Sequence, residues 1–351
     1  MNRVRTIRAG IVRAIAPLLL APAFGALLLA CAGFELGPAA TAFLRGSLAT
    51  RAGLAESAVA ATPLLFTGLA VLLSFRAGLF NIGAEGQLLG GMLLATAVAT
   101  RVDSAAAIPC ALLAGLAGGA IVAAFAALLR FARGVPEVLT TLLLNFVVLH
   151  LVGLAVHGFL QESARTLPQS DAITAAAELP RFLRGTRLHA GFGIAFLVAA
   201  AVAALLFVTR FGLRARGAGA SPRAARLAGF PVARDLSIAL VLSGALAGLG
   251  GAVEICGVTH RLTDDPSRGI GYTAIAVALL GRLHPLGVVG AALFFGVLEA
   301  GGAALQRNVG APLGLVQVLE ALLLLVTLLL DSDRLRERLA IRRAVAAGRA
   351  S

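Results

Sequence analysis

Along almost its whole length the chain alternates long apolar runs with short polar interruptions. Runs of roughly 20 apolar residues are long enough to cross a hydrocarbon core as helices. The pattern predicts spans at 11–34, 57–75, 84–100, 105–130, 138–160, 189–209, 236–258, 271–281, 286–304 and 313–330. The predicted class is therefore an all-α polytopic membrane protein with about ten transmembrane helices, residues 1–351 forming a single membrane domain. One run breaks the rule. The segment 271-GYTAIAVALLG-281 has eleven residues, too few for a straight spanning helix. It predicts a discontinuous or half-length helix, which a bilayer tolerates where protein or a cavity surrounds it.

That short run has a partner earlier in the chain. The segment 66-FTGLAVLLSFR-76 aligns without gaps to 272-YTAIAVALLGR-282, sharing Thr, Ala, Val, Leu and the terminal Arg. Weak internal similarity of this kind is how duplicated transporter halves present themselves, and it predicts an internal repeat.

Composition and charge sharpen the picture. Hydrophobic residues make up 59% of the chain and charged ones 13%, where a soluble domain carries about a quarter. All 30 basic residues are arginine. A P-loop ATPase needs the lysine of G-x-x-x-x-G-K-[ST], so this chain supplies no such site. The net charge of +13 could suggest nucleic acid, but the arginines sit in short loops and at the ends, the positive-inside pattern, and nucleic acid is not an expected partner. Arg3, Arg5, Arg8 and Arg13 place the N-terminus in the cytoplasm, and alternation then places 130–137, 210–234 and the basic tail 331–351 there too. The loop 161–188 falls outside, although its four arginines outnumber its three acids. The basic start followed by an apolar run could be a cleaved signal, but its length favours a retained first helix. Cys31, Cys110 and Cys256 lie scattered in apolar runs and are expected to be small core residues.

Polar residues inside apolar runs need a reason, because a charge at mid-bilayer costs roughly 2.5–3.5 kcal/mol on insertion scales. The stretch 75-FRAGLFNIGAEGQLLGG-91 holds Asn81, Glu85 and Gln87 among glycines. Glu85 falls in the first turn of the next predicted helix, where the dipole favours an anion. The stretch is either a capped helix end, with Arg76 reaching the headgroups, or a polar break lining a solute path. Thr141 and Asn145 share one face of 138–160, with His150 five residues further on, and Glu254 follows the small-residue run 243-SGALAGLGGAVEICG-257. No H-E-x-x-H or G-x-S-x-G pattern occurs, so an enzyme is not expected. In the inner segment 217-GAGASPRAARLAGFPVAR-234, Pro222 opens one or two amphipathic turns that Gly229 and Pro231 close. Such a short helix suits a docking element for a cytoplasmic partner.

Five segments in order, 75-FRAGLFNIGAEGQ-87, 137-EVLTTLLLN-145, 221-SPRAARLAG-229, 243-SGALAGLGGAVEICG-257 and 276-AVALLGRLHPLG-287, carry a family resemblance covering roughly residues 57–330. The chain resembles the permease subunits of ABC importers for simple sugars and nucleosides, within the branched-chain amino acid and ribose-type translocators. It is most similar to the nucleoside-type branch. The resemblance implies a bacterial inner-membrane permease with both termini cytoplasmic. The implied partners are a cytoplasmic ABC ATPase subunit, a second homologous permease, an extracytoplasmic solute-binding lipoprotein and the lipid bilayer. It implies no cofactor on this chain, ATP and Mg belonging to the ATPase. Phe80, Asn81, Glu85, Gln87, Asn145 and Glu254 would line the solute path. Ser221, Pro222, Arg223, Ala224, Ala225, Arg226 and Gly229, within the coupling loop 210–234, would face the ATPase. Ser221 stands where such permeases tend to have asparagine, and Leu227 where an aromatic is usual. The charged stretch 259-THRLTDDPSRGIGY-272 departs from the pattern and bears on the solute carried. An ion-coupled secondary transporter of a small polar solute is the alternative reading.

Overall fold

The computed structural model describes residues 24–312 together with 314, 317, 318, 321 and 322. Most of the predicted spans 11–34 and 313–330 and the basic tail lie outside the described residues. By contacts the chain divides into two units, 45–301 and a unit formed by the two ends, 1–44 with 302–351. In the end unit, residues 24–31 are helical, and Ala39, Leu305 and Ala311 form a small apolar cluster packed by Leu29 and Phe34.

The secondary structure of the described residues is helical throughout, apart from two isolated β-bridges. In chain order the helices are α1 (Leu36–Ser47), α2 (Arg51–Arg76), α3 (Ala84–Ala99), α4 (Ala107–Arg133), α5 (Glu137–Val156), α6 (Gly191–Val208), α7 (Arg210–Ala220), α8 (Pro222–Leu227), α9 (Val232–Glu254), α10 (Ile270–Leu280) and α11 (Pro285–Val309). A short π-helical turn, Ile255–Thr259, extends α9. Among the described residues, six helices (α2, α4, α5, α6, α9 and α11) are long and apolar enough to cross a membrane, and α3 and α10 are shorter apolar helices. These eight match eight of the predicted spans; α1 and α7 were not foreseen. Below, the end of the large unit carrying Arg76, Arg130 and α7–α8 is called inner and the opposite end outer, following the arginine distribution.

Burial sorts the spans. Of the apolar window of α2, 83% is buried, against 33%, 33% and 28% for α4, α5 and α6, so α2 forms the centre and the latter three present their leucines and phenylalanines outward. Local sequence explains its regularity. Thr50 Oγ1 accepts from Gly53 N at 2.9 Å to start α2, and Pro63, which lacks a donor, is accommodated mid-helix while Thr67 Oγ1 donates to its carbonyl at 2.7 Å. The tightest packing joins α3, α4 and α9 through small residues four apart. A Cβ on Gly248 would meet the carbonyl of Gly115 and lie 2.7 Å from Gly119 N, and one on Gly91 would meet Gly248 itself. Without side chains, the three backbones approach closely enough for dispersion contacts to replace hydrophobic burial as the adhesive.

At the inner end, α7 and α8 return to the bundle. Arg214 grips the buried Asp235 with two bonds, Nε at 2.7 Å and Nη2 at 3.1 Å. Ala215, Ala218 and Ala225 join Ala77, Leu79, Ala123 and Leu236 in one apolar cluster. At the outer end, the loop after α5 is stitched to the segment after α9. Leu179 N donates to Cys256 O at 2.8 Å, Ile173 N to His260 O at 3.0 Å and Ser170 N to Leu262 O at 2.8 Å. The π turn leaves the Cys256 carbonyl free for this role. Cys256 is buried as expected, but Cys31 and Cys110 are exposed, because each falls on the unpacked side of its helix.

Candidate functional site: a polar break at mid-span

The chain leaves α2 at the inner end but does not start a fresh helix there. Gly78, at φ +80°, closes α2, its amide bonding to Phe75 O at 3.0 Å. The next five residues run without helix, and α3 begins at Ala84. A break of this kind strands backbone donors and acceptors, each costly if unmet in an apolar interior. The polar residues singled out in the sequence meet them.

Asn81, fully buried, bends the chain by accepting from Gly83 N through Oδ1 at 2.9 Å. The same oxygen accepts from Gln87 Nε2 at 3.1 Å, while its Nδ2 donates to Gln87 Oε1 at 2.9 Å and to Ser243 Oγ at 3.0 Å. Ser243, on α9, passes its own proton to Ala70 O on α2 at 2.7 Å. One buried network thus ties α2, the break, α3 and α9.

The other side of the break is held by α5. Asn145 Nδ2 donates to Ile82 O at 2.9 Å, and Asn145 Oδ1 accepts from Gly86 N, an amide of the first turn of α3, at 2.8 Å. Thr141 Oγ1 accepts from Ile82 N at 3.3 Å, and Glu137, which pairs with Arg130, accepts from Phe80 N at 3.3 Å. Glycine is required at 83 and 86 by these partners: an added Cβ would lie 2.8 Å from Thr141 Cβ and 2.9 Å from Asn145 Cα respectively.

Glu85 faces a third element. Its carboxylate accepts from Ser267 Oγ, from Gly269 N at 3.2 Å and from Gly271 N at 2.6 Å. These amides are the orphan donors at the start of α10, where a helix favours negative charge. The eleven residues of α10 rise only about 16 Å, half of an apolar core. Its start lies level with the middle of α5, because Asn145, ninth of the twenty residues of α5, donates to Tyr272 Oη at 3.3 Å. Two short helices, α3 and α10, therefore begin at mid-span, back to back, on one set of polar clamps. The predicted half-length helix at 271–281 is present as α10.

The remaining predicted residues are placed as follows. Phe80 is 58% exposed with its ring 5.3 Å from that of Phe75. Glu254, half-buried at the outer end of α9, lies within electrostatic range of Arg187 and Arg268, apart from the break. Arg76 does not reach outward: its Nε donates to Leu283 O at 2.6 Å and its guanidinium lies over Phe207. The turns at 221–229 form α8. Ser221 Oγ caps it by accepting from Ala224 N at 3.3 Å, Pro222 opens it and Gly229, at φ +79°, follows its end. Ala225 is buried beneath, Arg223, Ala224 and Arg226 are exposed, and Leu227 is 84% exposed. Sequence reasoning missed Ser243, Ser267 and Tyr272 as members of the site. The charged stretch after 259 was the signal for the last two.

Two outer-loop groups have strongly displaced proton affinities. Thr166 Oγ1, Gln169 Nε2 and Leu167 N all donate to Glu162, which holds its carboxyl down at about 2. His189 is fully buried, its Nδ1 accepting from Gly191 N at 3.1 Å and its ring filling the space beside Gly257. Burial, with the nearby charges of His260 and Arg181, pushes its imidazole down to about 4. In an unfolded loop the same group titrates near 6.5, so the unfolded loop binds the proton more readily. The packing of His189 therefore stabilises the loop fully above about pH 6.5, and the contribution drains away as pH falls towards 4. Amide protection of 161–190, corrected for intrinsic exchange, is expected to drop between pH 7 and pH 4.5 in the native chain. A His189→Leu variant should show no such drop; equal acid sensitivity in both would remove His189 from the account.

Comparison with known proteins gives this geometry a family. The chain is 39% identical to the glucose ABC transporter permease protein TsgB13 of Haloferax volcanii over 292 residues, covering 80% of this chain and 77% of the relative. It is 31% identical to the guanosine ABC transporter permease protein NupP of Bacillus subtilis, covering 88% and 90%. It is 31% identical to the nucleoside ABC transporter permease protein NupB of Lactococcus lactis subsp. cremoris, covering 74% of each. The family described as branched-chain amino acid transport system / permease component matches residues 53–330, a stretch containing the break, its clamps and α8. With several apolar helices of spanning length and this match, the chain is a multi-pass membrane permease of the ABC type and belongs to that family.

Proposed function

We propose that the chain forms the translocation path of an ATP-driven importer for nucleosides or related simple sugars. The reading rests above all on the two short helices that start at mid-span on a shared set of polar clamps, the arrangement by which a membrane protein opens non-helical backbone to a polar solute. Relatives named for guanosine, nucleosides and glucose support the solute class. Asn81, Gln87, Glu85 and Asn145 shape the path by fixing the break, and the exposed Phe80 stands beside it. Glu254 contributes charge nearer the outer end. The permease carries out no covalent chemistry and holds no cofactor; ATP and Mg act on the partner ATPase. A binding protein outside supplies the solute, and a second permease completes the path. Both termini lie in the cytoplasm.

Energy enters through α8. A six-residue helix presenting Arg223, Arg226 and the exposed Leu227 offers an apolar knob beside two cations to the ATPase. Its motion has a short route to the break, because Gly219, at the end of α7, packs against Gly78, where an added Cβ on Gly78 would lie 2.8 Å from Gly219 Cα. Moving α7–α8 as one body must move the residues that close α2.

Uptake of radiolabelled guanosine and glucose tests the reading, in cells lacking this chain and restored with or without its ATPase. Uptake should require the ATPase; uptake that survives its loss and stops with an uncoupler would favour an ion-coupled carrier. Docking is tested separately. Changing Arg223, Arg226 and Leu227 together to Ala should reduce co-purifying ATPase several-fold and leave the permease in the membrane at normal level. Full recovery of the ATPase would place its main contact elsewhere.

A further inference from the structure

The segment between the π turn and α10 carries charge that neither the clamps nor the docking helix uses, and its course is fixed at both ends by α5. At the upper end, Asp264 Oδ1 lies 3.9 Å from His157 Nδ1, and a Cβ on Gly153 would come within 2.9 Å of the same oxygen. At the lower end, Tyr272 Oη meets Asn145. Asn145 of α5 and His157, the residue that caps its end, are separated by about 18 Å along the helix axis. Residues 264–272 therefore descend from the outer end to mid-span against one side of α5.

Along this descent Asp264, Asp265, Arg268 and Tyr272 are exposed. On α5 beside it, Phe146 and His150 are exposed as well. Lipid is a poor neighbour for such a strip, since each ionisable group facing hydrocarbon at depth costs roughly 2.5–3.5 kcal/mol. The α6 face offers the contrast: Phe196, Leu197, Phe207 and Val208 are exposed there without an ionisable residue between them. Tyr272 adds a chemical detail. Its oxygen accepts from Asn145, and among the described residues its own hydroxyl proton is given to no protein acceptor.

Building on the importer reading, we propose that the face of α5 bearing Phe146 and His150, together with residues 263–272, lines the outer half of the solute path. Tyr272 is the solute-contacting residue at its floor. The strip suits a neutral ring bearing hydroxyls: Asp264 and Asp265 accept from hydroxyl groups, the Tyr272 hydroxyl donates to a ring or hydroxyl oxygen, and the Phe146 and Tyr272 rings cover the apolar face. Contacts of this number hold a solute weakly, as a path that must release it requires.

Single cysteines test the assignment in the assembled importer, after Cys31, Cys110 and Cys256 are replaced by Ala. His150→Cys and Tyr272→Cys should react with an impermeant cationic thiosulfonate added from outside, and Leu197→Cys, on the apolar face of α6, should not. Saturating guanosine or glucose, with the binding protein present, should slow the first two reactions. Tyr272→Phe should raise the half-saturating concentration for uptake by about 3- to 10-fold, the scale of one lost hydrogen bond, with the maximal rate preserved. Cysteines that react only when the chain is expressed without its partner permease would make the strip an interface between permeases. Reaction only with a membrane-permeant maleimide would make it lipid-facing, and reaction without solute protection would leave it wet but off the path. Each of these overturns the proposal. Labelling does not depend on ATP, so failure of the importer reading would show separately, as uptake indifferent to the ATPase.

Discussion

Gly248→Val is expected to abolish assembled permease, and even Gly248→Ala should lower its yield severely. The position has backbone on both sides, the Gly115 carbonyl and the Gly119 amide of α4, and Gly91 of α3 rests against it. A clash with a flexible side chain can be relieved by a rotamer change; a clash with the backbone of α4 at Gly115 and Gly119 can be relieved only by separating helices. Overpacking usually costs 1–3 kcal/mol, and separating α4 and α3 from α9 at their closest approach should cost at least about 3 kcal/mol, the top of that range. Gly290→Ala is the matched control, since nothing lies within 4 Å of its added Cβ and alanine is the better helix former by about 1 kcal/mol. Detergent-extracted protein measured by fluorescence-detected gel filtration reads both. A monodisperse Gly248→Ala peak at native height would mean that α4 and α9 do not meet as closely as this packing requires.

Much of this arrangement was legible in the amino-acid order. Apolar run length located eight helices because each residue of a spanning helix must be tolerable to its surroundings, so the boundaries are set by composition. The eleven-residue run ending at Gly281 announced a half-length helix by the same rule. Two features escaped it. The amphipathic α7 has glycine at 212, 217 and 219, which argues against a helix locally; close contact of Gly219 with the α2 terminus and the Arg214–Asp235 pair hold it in place. The partners of the polar residues also escaped. Glu85 in the first turn of α3 looks like a cap for its own helix. Its carboxylate instead serves a helix residue 186 positions later, Gly271, a pairing that local spacing cannot encode.

The burial of the polar residues also changes what their presence means. A side chain that faces a solute must keep an unmet donor or acceptor; Asn81, Gln87 and Asn145 have met theirs with protein. Their chemistry is spent on keeping backbone non-helical at a depth where helix would otherwise win. The residues that retain spare capacity, Tyr272 above all, are those the clamps position. On the proposed path, specificity and architecture fall to different residues, and substitution should separate them.

Asn145→Leu is expected to lower uptake by at least about tenfold, to a residual but measurable rate, while leaving the permease assembled with its ATPase. Leucine fills a similar volume but leaves Ile82 O and Gly86 N without partners, and each buried unmet group costs about 1–3 kcal/mol. A penalty of about 2–6 kcal/mol falls on the ordered break alone, and each 1.4 kcal/mol lowers its population relative to alternatives tenfold. The spans themselves are held elsewhere, by the glycine seam of α3, α4 and α9, so membrane abundance should stay within about twofold of native. Asn81→Leu should act alike from the opposite side, by stranding Gly83 N and both ends of Gln87. The two clamps grip the same seven residues, 77–83, so once one is lost the other has less to hold. The double variant should therefore cost less than the sum of the single ones, with a coupling of about 0.5–3 kcal/mol typical of shared networks. Uptake per surface copy in native, single and double variants measures it. Strict additivity would mean that Asn81 and Asn145 stabilise separate structures, and unchanged uptake in Asn145→Leu would mean that the break has no part in transport.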